Sequence, residues 1–348
     1  RGVVLRYDHL RVFDRDGRDV PSRFAATASS VSIVVDDADA AYPITVDPTF
    51  TYEAYLKASN AGASDLFGAS VAISGDTAVI GAQSEASAAN VINGNGADNT
   101  APTAGAAYVF VRSAAGSWAQ QAYLKASNAG AGDQFGLSVA ISGDTIVVGA
   151  PSEASAANTI DGNQADNSAA AAGAAYVFVR NGQSWTQQAY LKAPNAGAGD
   201  SFGRSVSISG DVVVVGAIGE DSSSSDLATA DDARTDSGAA YVFARVGTTW
   251  SVDGYLKASN AGASDAFGFS SSISGNTLVV GSRVEASSTT GINPASNELA
   301  PNAGLRIHAH GRCVVAAGVR EGRQHRGQRQ LRLLGVAVAG RAARRRAA

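Results

Sequence analysis

FGLSVAISGDTIVVGA, residues 135–150, recurs along the chain in near-copies, and its reading decides the fold. The Phe-Gly pairs fall at Phe67-Gly68, Phe135-Gly136, Phe202-Gly203 and Phe267-Gly268, so the successive intervals are 68, 67 and 65. The separation from the Phe to the Gly of a closing Gly-Ala or Gly-Ser pair (Gly81, Gly149, Gly216, Gly281) is 14 in every copy. The Tyr of a YLKA segment (Tyr55, Tyr123, Tyr190, Tyr255) precedes the Phe by 12, and an aromatic residue (Phe50, Trp118, Trp185, Trp250) precedes that Tyr by five. Spacing this regular marks a structural unit.

Each unit reads as strands. SVAIS (138–142) alternates, with Val139 and Ile141 on one face, whereas TIVVGA (145–150) is a continuous apolar, β-branched run, so the two differ in depth of burial. Gly143-Asp144 between them is a hairpin signal, because a tight primed turn needs positive φ. The same turn recurs at Gly75-Asp76, Gly210-Asp211 and Gly275-Asn276. AAYVFVR (174–180) predicts a third strand and WTQQAYLKA (185–193) a fourth. Four meandering strands per unit, repeated, describe an all-β chain built of antiparallel β-propeller blades.

Composition sets the limits. The chain has 39 Gly, no Met, and only four Lys, all in the YLKA segments (Lys57, Lys125, Lys192, Lys257). It begins with Arg in mid-domain and reads as a fragment, without a run of 18 apolar residues that would span a membrane. Residues 1–304 hold no cysteine, which excludes a disulfide scaffold or a thiolate metal site there.

Phe-Gly, a strand hairpin and then Gly-Ala-(Pro) resembles the FG-GAP repeat, the blade unit of integrin alpha-chain propellers and of many bacterial extracellular proteins. The resemblance covers residues 50–304, although Gly149-Ala150-Pro151 alone completes the Gly-Ala-Pro. It implies a secreted or surface-exposed propeller used in binding and adhesion. Integrin-type blades carry an Asp-rich calcium loop inside the hairpin, and here that space holds Ser-Gly-Asp. One Asp cannot supply a shell of six to eight oxygens, so no calcium site is carried over to Asp76, Asp144 or Asp211.

A second acidic feature follows each hairpin. Glu85, Glu153, Glu220 and Glu285 each open a loop of about twenty residues (83–104, 151–172, 218–237, 283–303) rich in Asn, Asp, Ser and Ala. Asp98 and Asp166 stand at the same separation, 13, beyond their Glu, and Asp231 sits in the most acidic loop, 220–236. One reading is an oxygen-ligand Ca²⁺ site on one rim. The plainer reading, which the composition favours, is a Glu that accepts backbone amides of its own loop while Asn and Asp make turns. The 220–236 loop is also the best candidate for a cation or a basic partner, weighed against a solvated loop.

Residues 1–48 read as the C-terminal part of a small β domain, joined to the propeller (49–304) at Val46–Phe50. Asp14-x-Asp16-Gly17-x-Asp19 matches the start of a calcium loop on paper, but it more simply makes the turn between strands ending at Phe13 and starting at Val20.

After residue 304 the repeats stop. Residues 305–348 hold 11 of the 23 Arg, three of the four His (His308, His310, His325) and Cys313. Residues 1–304 carry −14, and the tail carries +10. A nucleic-acid-binding tail, a His/Cys metal site and an out-of-frame translation compete. The genetic code favours the last. Read one nucleotide later with permitted codons, VVAAGVREG (314–322) becomes Trp-Ser-Gln-Gln-Ala-Tyr-Val-Lys-Ala, and Gln328–Arg332 becomes Asn-Asp-Ser-Phe-Gly. The hidden Tyr and Phe fall at positions 319 and 331, a separation of 64 from Tyr255 and from Phe267. Four blades in frame and a fifth lost to a frameshift are therefore expected.

Without the tail the chain offers one histidine, His9, and no Ser/His/Asp or Cys/His set. The expectation is a non-catalytic extracellular binding or adhesion module that recognises a protein or glycan through rim loops, with no nucleic acid. The alternatives are an accessory domain of a secreted enzyme or a structural surface-layer component.

Overall fold

The computed structural model describes residues 10–26, 31–48, 54–229, 231–285 and 307–308. The Arg-rich stretch 309–348, loop residues 286–303, His9 and the junction at 49–53 lie outside the described residues. The chain divides into two compact units, with the break between Ala54 and Tyr55.

In the first unit, β1 (Leu10–Phe13) pairs antiparallel with β4 (Thr45–Pro48), and β2 (Ser22–Ala26) with β3 (Val31–Val35). The Asp14 carboxylate accepts the N–H groups of Asp16, Arg18 and Ala41. The Arg18 N–H is the main reason this carboxyl is held below the usual range. The residue that heads the calcium-like motif thus closes the turn, and a bridge joins Phe13 to Asp19 across it. The next strand begins at Ser22, two residues later than Val20.

The second unit repeats one meander. Its first sheet holds β5 (Ser70–Ser74), β6 (Thr77–Ala82), β7 (Ala106–Arg112) and β8 (Trp118–Leu124). The second holds β9 (Ser138–Ser142), β10 (Thr145–Ala150), β11 (Ala174–Asn181) and β12 (Ser184–Leu191). The third holds β13 (Phe202–Ser209), β14 (Val212–Ala217), β15 (Ala239–Val246) and β16 (Thr249–Leu256). Three strands are described in the fourth: β17 (Phe267–Ser274), β18 (Thr277–Ser282) and β19 (Ile307–His308). Strand order follows chain order in every sheet, as in propeller blades. The turn glycines Gly75, Gly143, Gly210 and Gly275 all have φ of +56° to +60°, as the Gly-Asp signal required.

The sheets pack face to face, which explains the burial difference within each hairpin. Between the first two sheets, Val79, Val109 and Leu124 of one meet Val139, Ile141 and Phe135 of the next. The second strand lies inside its own sheet with a neighbour on each face, so every residue of β10 is buried. On the first sheet no packed blade covers the outer face of β5 among the described residues. Val71 and Ile73 are accordingly 70% and 66% exposed, against 8% and 9% for their equivalents Val139 and Ile141.

The Phe-Gly and Gly-Ala residues are where adjacent blades touch. The Phe135 ring stacks edge-on against Tyr176 and Phe178 of its own blade, at 5.3 and 6.0 Å. Its backbone meanwhile bridges to Gly105 of the preceding blade. Gly136, at φ +90°, presents its carbonyl to the preceding blade, where Ser70 Oγ donates to it at 2.8 Å. Ser138 and Ser205 repeat that bond to the Gly203 and Gly268 carbonyls. A Cβ added at Gly81, Gly149 or Gly216 would lie 2.0, 2.1 or 1.9 Å from those three carbonyl oxygens. These glycines are required by close backbone approach between blades.

Candidate functional site

Strand 1 starts, strand 2 ends, strand 3 starts and strand 4 ends at the same rim, which therefore gathers the Phe-Gly turns, the long Glu loops and the YLKA segments. The opposite rim carries the Gly-Asp turns. There Asp76, Asp144 and Asp211 pair with Arg112, Arg180 and Arg245 at 2.7, 2.6 and 2.7 Å. Each Arg also lies over the Trp in the first two residues of the fourth strand (Trp118, Trp185 or Trp250), 5.1–5.6 Å from the ring centroid. These exposed pairs staple the turn to the end of strand 3 and contribute modestly to stability.

The Glu residues of the long loops are buried and paired. Glu85 Oε2 accepts from Lys125 Nζ at 3.0 Å, Glu153 from Lys192 at 3.1 Å and Glu220 from Lys257 at 2.6 Å. Lys125 also donates to the Ser87 and Gly105 carbonyls, and Lys192 to those of Ser155 and Gly173, so all three ammonium protons are placed. The other carboxylate oxygen, Oε1, accepts from Asn60, Asn128 or Asn195 at 2.9 Å. Each Asn carbonyl in turn accepts from a buried Tyr hydroxyl, of Tyr108, Tyr176 or Tyr241, at 2.6 Å. Asn260 donates to Glu285 in the same way. Burial pushes the three lysines below their ordinary range, and the facing carboxylate opposes it.

The expectation that Glu85, Glu153 and Glu220 accept amides of their own loops is therefore corrected: each carboxylate faces an ammonium from the end of strand 4. A carboxylate brought into a dry interior needs a counter-charge more than it needs amides. The loops still make turns as read. Asp98 accepts from the Thr100 hydroxyl and N–H, Asp166 from the Ser168 N–H, and Asp231 from Ser223. Those bonds hold all three carboxyls below their usual range. Asp98 and Asp166 do not join the Glu–Lys contact, and Asp231 anchors a loop containing a short 3₁₀ turn, Leu227–Thr229. Among the described residues, no three His, Cys, Asp or Glu side chains are grouped to hold a metal ion. The missed partners, Lys and Asn, had a signal: all Lys sit in YLKA, and the three paired ones come 37–40 residues after a Glu.

The FG-GAP repeat family model matches residues 50–110, 118–178, 185–243 and 250–293. The chain belongs to the FG-GAP repeat family. No curated protein matches it. Within these FG-GAP units, the named residues join blade to blade, and the Lys–Glu–Asn–Tyr cluster closes the long loop of each of the first three blades. No helix among the described residues is long and apolar enough to cross a membrane.

The FG-GAP blades also bury carboxylates that lack a counter-ion at hydrogen-bonding distance. Asp133 and Asp200, 6% and 5% exposed, each cap a tight turn by accepting the N–H of Gly130 or Gly197. Burial pushes Asp133 up to about 6 and Asp200 to about 7, and nearby Glu153, or Glu220 and Asp221, adds to the effect. A carboxyl raised in the fold is protonated there before it is in the unfolded chain. Its stabilisation is complete below about pH 4 and is lost as pH rises through 6 to 7. The melting temperature should therefore be lower at pH 8 than at pH 5.5. Asp200→Asn should flatten that dependence, and an unchanged slope in the variant would rule Asp200 out as its source.

Proposed function

We propose that this chain is a non-catalytic, extracellular binding module of the adhesion type, which recognises a protein or glycan through the loops gathered on one rim. The observation that carries this reading is how the repeat divides its residues. The recurring ionisable groups of the rim are used in closing the first three blades, while the loops they anchor are long and diverge along the array: 83–104 and 151–172 are near-copies sharing SEASAAN and ADN, whereas 218–237 keeps little beyond the Glu and is far more acidic. A scaffold held constant while a rim loop diverges, as 218–237 does, is the arrangement of a recognition surface.

The second part of the proposal concerns residues 305–348, read as the next repeat in another frame. The Glu–Lys pairing supports it. The shifted reading places a Lys at position 321, at a separation of 36 from Glu285, beside 40, 39 and 37 for the three pairs described. Sequencing the locus and its flanks tests both parts. We expect one continuous frame running from the fourth repeat into further repeats, with secretion and anchoring signals and no catalytic domain. An intact frame encoding the Arg-rich stretch would end the frameshift reading. A neighbouring domain with convergent carboxylates or a His cluster would make this propeller the accessory part of an enzyme.

A further inference from the structure

Positive charge in the repeats is almost entirely committed to partners. Arg112, Arg180 and Arg245 pair with turn aspartates, Lys125, Lys192 and Lys257 with buried glutamates, and Arg234 donates to the Ala261 carbonyl. Arg204 and Arg283 form no ion pair or hydrogen bond with the described residues. Instead both lie against one aromatic ring. The Arg204 guanidinium carbon is 4.5 Å from the centroid of Phe269, and that of Arg283 is 5.1 Å from it.

The cluster is on the rim that bears the long loops. Arg204 directly follows Phe202-Gly203, Phe269 directly follows Phe267-Gly268, and Arg283 follows Gly281-Ser282. It therefore joins the third blade to the fourth. The repeat itself supplies the control. The three equivalent positions between the first and second blades hold Ala69, Leu137 and Pro151, and those between the second and third hold Leu137, Arg204 and Ile218. The blades share buried clusters at those two junctions without paired cations, so the scaffold does not demand them.

We propose that Arg204, Phe269 and Arg283 form a binding site for an oxyanion, a carboxylate, sulfate or phosphate group carried by the ligand of this rim. The ring fixes two guanidinium planes on one spot, leaving their N–H edges for an acceptor with at least two oxygens. Arg283 is exposed and Arg204 half-buried, so the ligand approaches from solvent onto a preformed floor. Burial first, and then the charge of Arg283, push Arg204 below its ordinary range, a cost that a bound anion relieves. Residues 1–304 carry −14, so this is a local positive spot on an otherwise acidic chain, suited to selecting an acidic group at short range. This inference rests on the binding-module reading and names the chemistry of its ligand.

The test is calorimetric titration of the full chain with sodium sulfate, sodium phosphate and sodium glucuronate, at constant ionic strength set with chloride. Saturable binding is expected for at least one, in the millimolar range suited to a single group on two cations. Arg204→Gln and Arg283→Gln should each weaken it about tenfold or more. Arg245→Gln, on the opposite rim, should leave it unchanged. The order of the three anions identifies whether the natural group is a carboxylate, a sulfate or a phosphate. Arg283 is on the surface and its variant is expected to melt as the wild type does, so loss of binding there cannot be ascribed to misfolding. Absence of saturable heat with all three salts, or undiminished binding by both Arg→Gln variants, would overturn the site. Either result would leave the binding-module reading to be decided by the flanking gene sequence.

Discussion

Lys192→Met should lower the unfolding free energy by about 3–5 kcal/mol, measured by urea denaturation. The side chains of Lys192 and Glu153 are 0% and 1% exposed, and among the described residues the ammonium is the only cation bonded to that carboxylate. Removing it strands a negative charge in a dry interior, together with the Ser155 and Gly173 carbonyls that also accept from Lys192. Against a typical total of about 5–15 kcal/mol this is a large loss. The double variant Lys192→Met/Glu153→Gln should recover most of it. The new glutamine side chain would be neutral and would still offer an oxygen to Asn128, since the desolvation of a charge, rather than the loss of attraction, sets the cost. A single variant that loses under about 1 kcal/mol, or a double no better than the single, would show that water reaches this pair.

Gly149→Ala should be at least as damaging, for a reason that has nothing to do with backbone conformation. Gly149 lacks the positive φ of the turn glycines, so alanine can adopt its dihedral angles. The obstacle is that the new Cβ would lie 2.1 Å from the Gly203 carbonyl oxygen and 2.4 Å from Ser138 Oγ. The oxygen belongs to the next blade's backbone, which cannot swing aside as a side chain would, so the second and third blades must part. They share the cluster containing Val147, Ala189, Leu191, Phe202 and Val206, and opening it forfeits several buried side chains at about 1.5–3 kcal/mol each. Gly143→Ala is the comparison. Its φ is +57° with nothing within 4 Å of the added atom, so it should cost only about 1–2 kcal/mol. Equal losses at the two positions would refute the steric account.

The strand plan was legible because it depends on local pattern. SVAIS alternates and TIVVGA does not, and the structure places the first as an outer strand of its sheet and the second inside it with both faces covered. Strand ends moved by one or two residues, as at β12, which begins at Ser184 and closes at Leu191. The polar interior was harder to see. Glu153 and Lys192 are 39 residues apart, and a loop glutamate in an Asn- and Ser-rich stretch looks solvated until the chain is folded over it. The buried lysines nonetheless left a trace, their confinement to one tetrapeptide. The Arg204–Phe269–Arg283 cluster left none, because it lies where the copies differ and regular spacing says nothing about such positions.

The order of residues in YLKASN has a consequence for how the protein is made. In the second copy, Lys125 reaches back to Glu85 while Asn128, three residues on, reaches forward to Glu153. As the chain leaves the ribosome, each blade therefore finds its asparagine first, its glutamate 25 residues later and its lysine last, with the fourth strand. Until that lysine emerges the glutamate cannot be buried without cost, so a half-made blade is expected to stay open until its fourth strand arrives. The same hexapeptide that locks one blade delivers the anchor for the next. In the first of these repeats Asn60 is engaged on Glu85 while Lys57 is exposed.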